Sequence, residues 1–182
     1  MLITRWGDGI PTCGVDVSDT FDTTISFVIK YVSPEVGYCA FAGQDIPAGT
    51  DIAAYTGMIG EVSKSTSTQQ SLYALQVDKD CCIDAAYAGN ISRFFCHLPE
   101  AQDLASYNFS SVELRESVAT SNAAHKVSML SLSGGRVLPC LVLVAKRMIK
   151  AGEIIGFDYS LDYWRNLDKR PKFFANDGTI LT

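Results

Sequence analysis

The chain has 182 residues, 47% of them hydrophobic, and 20 acidic against 15 basic side chains give a formal net charge of −5. That is about one domain's worth of chain, with enough apolar content for a sizeable core and no block of like charge that would mark a disordered tail. The acidic balance argues against direct nucleic-acid binding and suits a basic partner, and no apolar run approaches the ~20 residues needed to span a bilayer.

In chain order, the N-terminal run Met1 to Thr12 lacks the charged-then-apolar order of a secretory leader, so none is expected. Thr24 to Val32 alternates as a half-buried strand does, and Ser33-Pro34 ends it. Tyr38 to Ala42 is a short apolar run, and Ile46-Pro47-Ala48-Gly49-Thr50 reads as a turn. Ile52 to Ile59 predicts a strand broken at Gly57. Ser63 to Ser71 is a polar loop, or a short helix at best. Strands resume at Leu72 to Val77 and at Cys82-Ile83-Asp84.

Leu98 to Ser121 has poor periodicity and reads as an inserted surface segment, partly helical. Lys126 to Leu132 and Val137 to Ala145 flank Ser133-Gly134-Gly135-Arg136 as the arms of a hairpin. Leu138 to Ala145 is expected as a buried strand. Ile149-Lys150-Ala151-Gly152-Glu153 then repeats the turn pattern of Ile46 to Thr50. Two such turns flanked by strands imply a compact all-β body of small sheets. The tail, Asp162 to Thr182, mixes aromatic and basic residues and is expected to fold back over that body.

The six cysteines are Cys13, Cys39, Cys81, Cys82, Cys96 and Cys140. None forms a C-x-x-C pair, which removes the main support for zinc-ribbon and thioredoxin-like readings. All six are read as reduced thiols of a cytosolic or nuclear protein, mostly small buried hydrophobes. The histidines are His97 and His125. Cys96-His97 fails as a catalytic dyad because successive strand side chains point to opposite faces. Cys96 with His125 stays open on spacing, without support from it. A zinc deaminase needs H-x-E and P-C-x-x-C, and Pro139-Cys140 lacks the second cysteine. There is no G-x-G-x-x-G for a dinucleotide. No metal site is expected.

Taken singly, Tyr159 and Phe157 read as core or rim aromatics, Arg93 as a surface charge and Asn90 as a turn residue. Taken in order, several pieces carry more. They are Gly37-Tyr38-Cys39-Ala40-Phe41-Ala42, Ala54-Tyr55-Thr56-Gly57, Tyr73 and Ile83-Asp84-Ala85. After these come Gly89-Asn90-Ile91-Ser92-Arg93-Phe94-Phe95-Cys96-His97, Leu143-Val144-Ala145-Lys146-Arg147, and Ala151 through Gly156-Phe157-Asp158-Tyr159. This succession resembles the SET domain of protein lysine methyltransferases, from about Gly37 to Trp164. Within that family, Gly89 to Phe94, His97-Leu98, and Gly156 to Tyr159 followed by Trp164 are most similar to the euchromatic histone H3 methyltransferases.

The resemblance implies a mainly β fold (a β-clip), with short curved sheets around a pseudoknot and few short helices. It places the Arg93-to-His97 strand beside Gly156 to Tyr159. It divides the chain into an N-terminal flank at 1–33, a SET domain at 34–164 with its insertion at about 98–121, and a lid-like segment at 165–182. It implies S-adenosylmethionine as cofactor, held by Gly37, Tyr38, Cys39, Arg93, Phe94, Phe95, Cys96, His97, Tyr159 and Trp164. Tyr159, Tyr73 and Phe157 take the catalytic positions. Tyr55, Tyr73, Phe157, Tyr163, Phe173 and Phe174 are expected to meet the substrate. Phe157 stands where the family limits methylation; a Phe there cannot hydrogen-bond a water, which implies di- or trimethylation.

The partner implied is a protein substrate, a histone tail or nucleosome, and the protein is expected as a monomer with no nucleic acid or membrane partner. Its place is then a nucleus, a host's if the chain is a secreted bacterial effector, or otherwise the cytoplasm. Departures from the family pattern are Cys39 at a usual glycine, Met58 at a common Glu and Cys96 at a usual Asn. The family's Pro-Asn is matched to Ser121-Asn122, with Tyr107-Asn108 as rival, and the flanking zinc clusters are absent. These departures leave two alternatives, a weakened SET-like peptide-binding module or a methyltransferase for a non-histone protein.

Overall fold

The computed structural model describes residues 2–6, 10–14, 25–61, 71–77, 81–131 and 137–181. Its strands begin with Leu2–Trp6 (β1), Ile10–Gly14 (β2), Phe27–Ser33 (β3), Gly37–Ala42 (β4), Asp51–Tyr55 (β5), Met58–Glu61 (β6), Ala74–Gln76 (β7) and Cys81–Asp84 (β8). Cys96–His97 (β9), the helix Val112–Ser117 (α1), Ala123–Ser131 (β10) and Val137–Ala145 (β11) follow. Gly156–Phe157 (β12), the helix Leu161–Asn166 (α2), Phe173–Phe174 (β13) and Ile180–Leu181 (β14) complete the order. The chain divides into two units, each drawn from three separated segments.

The first unit comprises Met1–Thr23, Asp51–Arg93 and His125–Leu143. β1 and β2 pair antiparallel, β10, β11 and β5 form one three-stranded sheet, and β6, β8 and β7 form another. Ile52 to Tyr55 and Leu141 to Leu143 are buried at every position. That is why both segments are continuous apolar runs with no alternation. The two arms predicted as a hairpin are neighbours; their glycine turn and the polar loop at Ser63 to Gln70 lie outside the described residues.

The second unit comprises Thr24–Thr50, Phe94–Ala124 and Val144–Thr182. β3 and β4 pair antiparallel, with a register shift between Tyr31 and Ser33. The two look-alike turns meet: Ile46 and Ile149 exchange both backbone hydrogen bonds, at 2.8 and 2.9 Å. Gly49 and Gly152 supply the positive φ (80° and 89°) that closes each turn. The tail turns back as the β13–β14 hairpin, and Asn176 accepts a hydrogen bond from Ile154 N at 2.8 Å. The insertion is helical in part: Ala101–Ser106 is a 3₁₀ turn, and α1 is capped by the Ser111 hydroxyl.

The core of this unit gathers Cys39, Phe41, Cys96, Leu98, Ala119, Ile154 and Phe174. Residues 39 and 41, like 96 and 98, are alternate positions, so each segment turns one face inward. On that inward face Cys39 and Cys96 are joined by a disulfide, their Cα atoms 6.0 Å apart. This corrects the reading of six reduced thiols. The partners lie 57 residues apart in sequence and meet only because their strands do. Cys82 and Cys140 take no part in a disulfide.

Candidate functional site

In the first unit, Asn90 organises the turn after Gly89. Its side-chain oxygen accepts from Ser92 N (3.1 Å) and Ser92 Oγ (2.6 Å), while its amide donates to Ala54 O on β5 (2.9 Å). An Asn capping its own chain two residues on favours a turn over extension. Ile91–Phe94 is accordingly a 3₁₀ turn, and the strand expected from Arg93 shortens to β9. Arg93 reaches Ala86 O (3.3 Å) and lies over the Tyr73 ring at 4.6 Å. The Tyr55 hydroxyl donates to Tyr73 O at 2.7 Å. Tyr55, Tyr73 and Arg93 thus form one connected group.

In the second unit, β9 lies parallel to β12, with Cys96 opposite Gly156 and His97 opposite Phe157. A side chain at position 156 would collide with Cys96 O and the Leu98 side chain, so the close approach needs glycine. Asn122, fully buried, fixes the other side of β12. Its N–H donates to Gly156 O (3.2 Å), its Oδ1 accepts from Gly156 N (3.0 Å), and its Nδ2 donates to Ile154 O (2.8 Å).

Beyond β12 the chain turns sharply. Asp158 accepts from Ser160 N (2.7 Å) and from Glu100 N (3.1 Å). Ser160 takes a positive φ of 76° and caps α2 through its hydroxyl. That strained residue turns Tyr159 toward β9 and sends Tyr163 and Trp164 back across it. The Tyr159 ring lies 5.0 Å from Phe157, 5.1 Å from Tyr163, 5.5 Å from His97 and 6.1 Å from Trp164, stacked on the last. Its hydroxyl donates to Phe95 O at 2.5 Å.

His97 is held neutral in this cluster. Burial lowers its pKa to about 4 although the nearby Asp158 carboxylate pulls the other way. His97 Nδ1 accepts the backbone N–H of Tyr159 at 3.2 Å, so the ring proton sits on Nε2. That Nε2 is buried without a partner, and so is Trp164 Nε1, on a ring 5.2 Å away. These two desolvated N–H donors, on rings set edge to face, are open to a ligand or a water that presents acceptors.

A family profile for the SET domain matches residues 37–160. The chain belongs to the SET domain family. Mouse and human histone-lysine N-methyltransferase EHMT1 are each 29% identical to it, over 150 and 149 residues, 80% of this chain. The chain spans about a tenth of the length of these curated relatives. Among solved structures, KRYPTONITE in complex with mCHH DNA, H3(1-15) peptide and SAH matches with a TM-score of 0.53 at 22% identity, over 81% of this chain and 26% of that one. The Chaetomium thermophilum polycomb repressive complex 2 matches with a TM-score of 0.56 at 20% identity, over 86% and 19%. Short sheets with few short helices are therefore the SET fold, as the sequence implied.

Within this SET domain, the second unit brings together Phe95, His97, Phe157, Tyr159, Tyr163 and Trp164, and sets Tyr38 edge-on to Phe94 at 6.5 Å. Cys39 and Cys96 turn their sulfurs into the core, leaving only their backbone for a cofactor. The lid expected of Phe173 and Phe174 is divided. Phe174 is a core residue, and Phe173 packs with Tyr107 and Phe109 at 5.0 and 4.8 Å. Asp158 escaped the sequence reading, although Asp two residues before a helix-capping Ser is a turn signal.

Proposed function

We propose that this SET domain transfers methyl groups from S-adenosylmethionine to a lysine side chain of a protein, a histone H3 tail first, to the di- or trimethyl state. The observation that carries the reading is the pair of unpartnered N–H donors, His97 Nε2 and Trp164 Nε1, on rings packed against the Tyr159 ring. They suit a ligand end that presents acceptors, as the purine of such a donor does. Support comes also from relatives named histone-lysine N-methyltransferases and from a structural neighbour bound to SAH and an H3 peptide.

When bound, S-adenosylmethionine supplies a methyl group on a sulfonium. The chain's task is to present a neutral amine in line with it. A free lysine has a pKa of about 10.4, so a neutral amine at pH 7 costs roughly 4 to 5 kcal/mol. Aromatic walls disfavour the ammonium by desolvation, and Phe157, Tyr159, Tyr163 and Trp164 build such a wall. The Tyr159 hydroxyl orients the amine, and the wall restricts it to a near-attack line. Phe157 is buried and offers no hydroxyl, which leaves room for successive methyl groups. For Tyr55, Tyr73 and Arg93 the support is the family pattern together with their mutual contacts. An acidic chain suits a basic tail, in a nucleus.

One observation favours a second reading. The disulfide withholds the side chain at position 96 from the donor, as a weakened, peptide-binding SET module would tolerate. Mass spectrometry of H3 tail peptides incubated with the protein and S-adenosylmethionine separates the two. Stepwise +14 Da on a lysine supports the enzyme. Donor binding without transfer to histones or other proteins supports the binding module.

A further inference from the structure

We propose that the Cys39–Cys96 pair is a redox switch on donor binding: the disulfide form holds the methyl donor, and the dithiol form loses it. The proposal rests on the donor-site reading above. Cys39 lies in β4 directly after Tyr38, and Cys96 lies in β9 directly before His97. Neighbouring strand residues face opposite ways, so the bridge ties together, from the core side, two segments whose other side carries Tyr38 and His97. His97 in turn fixes Tyr159 through its Nδ1. The bond therefore sets the spacing of the donor face without occupying it.

Reduction changes that spacing. Bonded sulfurs sit about 2 Å apart, whereas two thiols need ordinary van der Waals separation, about 3.5 to 4 Å. Both cysteines lie in one buried cluster with Phe41, Leu98, Ile154 and Phe174, and close-packed interiors absorb such a difference poorly. The displacement passes to β4 and β9, the strands that carry Tyr38 and His97. Cys39 is wholly buried while Cys96 keeps 7% of its surface, so exchange begins at Cys96.

The chemistry balances with a hydroperoxide and a small dithiol. In oxidation, one thiolate attacks hydrogen peroxide, the O–O bond breaks, and a sulfenic acid and hydroxide form. The second thiol attacks that sulfur, the S–O bond breaks, and the oxygen leaves as water. Two electrons and two protons pass from the thiols to the peroxide, giving two waters. In reduction, a dithiol attacks Cys96 Sγ and releases the Cys39 thiolate. Its second thiol then frees Cys96 as the reductant closes to its own disulfide.

The test uses the full chain carrying Cys13→Ser, Cys81→Ser, Cys82→Ser and Cys140→Ser, poised with hydrogen peroxide or dithiothreitol and titrated with S-adenosylhomocysteine by calorimetry. Intact mass reports the 2 Da between forms, and circular dichroism reports folding. The unsubstituted chain, with its disulfides mapped by peptide mass, serves beside it should the substituted one misfold. The expected result is a Kd at least tenfold higher in the folded dithiol form, recovered on reoxidation, with no redox response in Cys39→Ala/Cys96→Ala. Equal Kd in two verified forms overturns the switch and leaves the donor site standing. So does tighter binding by the dithiol form, a dithiol form that unfolds, or peroxide that never pairs these thiols. No binding by either form overturns the donor reading and the switch with it.

Discussion

The backbone N–H of Tyr159 ends on Nδ1 of His97, 3.2 Å away, so the imidazole must stay neutral for this contact to exist. Burial enforces that neutrality by lowering the His97 pKa to about 4 from 6.5. Between those values the unfolded chain binds a proton that the folded chain does not. This contribution to stability is complete above pH 6.5 and falls by about 3 kcal/mol as the pH drops to 4. Urea unfolding from pH 7.5 to 4.5 should show the loss in the unsubstituted chain and not in His97→Gln, whose amide oxygen accepts the same N–H. Equal pH slopes in the two proteins would contradict the assignment.

Asn122 should be among the costliest single substitutions. Asn122→Leu keeps the volume but strands the N–H of Gly156 and weakens the support of Ile154 O, both inside the core. Unsatisfied buried groups cost about 1 to 3 kcal/mol each, so a loss of roughly 3 kcal/mol is expected. Denaturant midpoints would show it. A change under about 1 kcal/mol would mean that water or a relaxed backbone replaces both bonds.

Gly156→Ala should damage the site more than the fold. The added methyl meets Cys96 O and Leu98, so β12 must move away from β9, carrying Phe157 and Tyr159 with it. Forced overpacking of this kind costs about 1 to 3 kcal/mol. Binding of S-adenosylhomocysteine should fall at least tenfold even under conditions where the variant is folded. Retained affinity would place the donor elsewhere.

Phe157→Tyr tests the methylation state. A hydroxyl beside the Tyr159 ring, now 5.0 Å from Phe157, would hold a water in space otherwise open to a methylated amine. The substituted protein should stop at monomethyl-lysine where the parent goes further. Identical product distributions by mass would remove Phe157 from this role.

Local patterns in the sequence announced the strands β3 and β5, the hairpin arms and both Ile-x-Ala-Gly turns, and marked β4 only as a short apolar run. What joins them was not legible, because Ile46 meets Ile149 and Cys39 meets Cys96 across long stretches of chain, and spacing carries no record of such pairing. The shortened β9 was legible in principle: Asn90 with Ser92 is a capping signal that overrides the apolar run behind it. The Tyr159 cluster came only from the ordered resemblance to SET domains. Singly, each of its rings reads as core. Phe174 shows the limit of that route, since its position suggested a lid and its burial makes it core.

Methyl transfer directed by the Tyr159 cluster is open to one direct experiment. Core histones are incubated with S-adenosylmethionine and either the unsubstituted protein or Tyr159→Phe, and lysine mass increments are read alongside donor binding. The expected result is stepwise +14 Da increments on an H3 lysine, reaching +28 or +42 Da, slowed about 100-fold or more in Tyr159→Phe while donor affinity stays within a few fold. Transfer that survives the loss of this hydroxyl unchanged, or no transfer to any lysine despite donor binding, would contradict it.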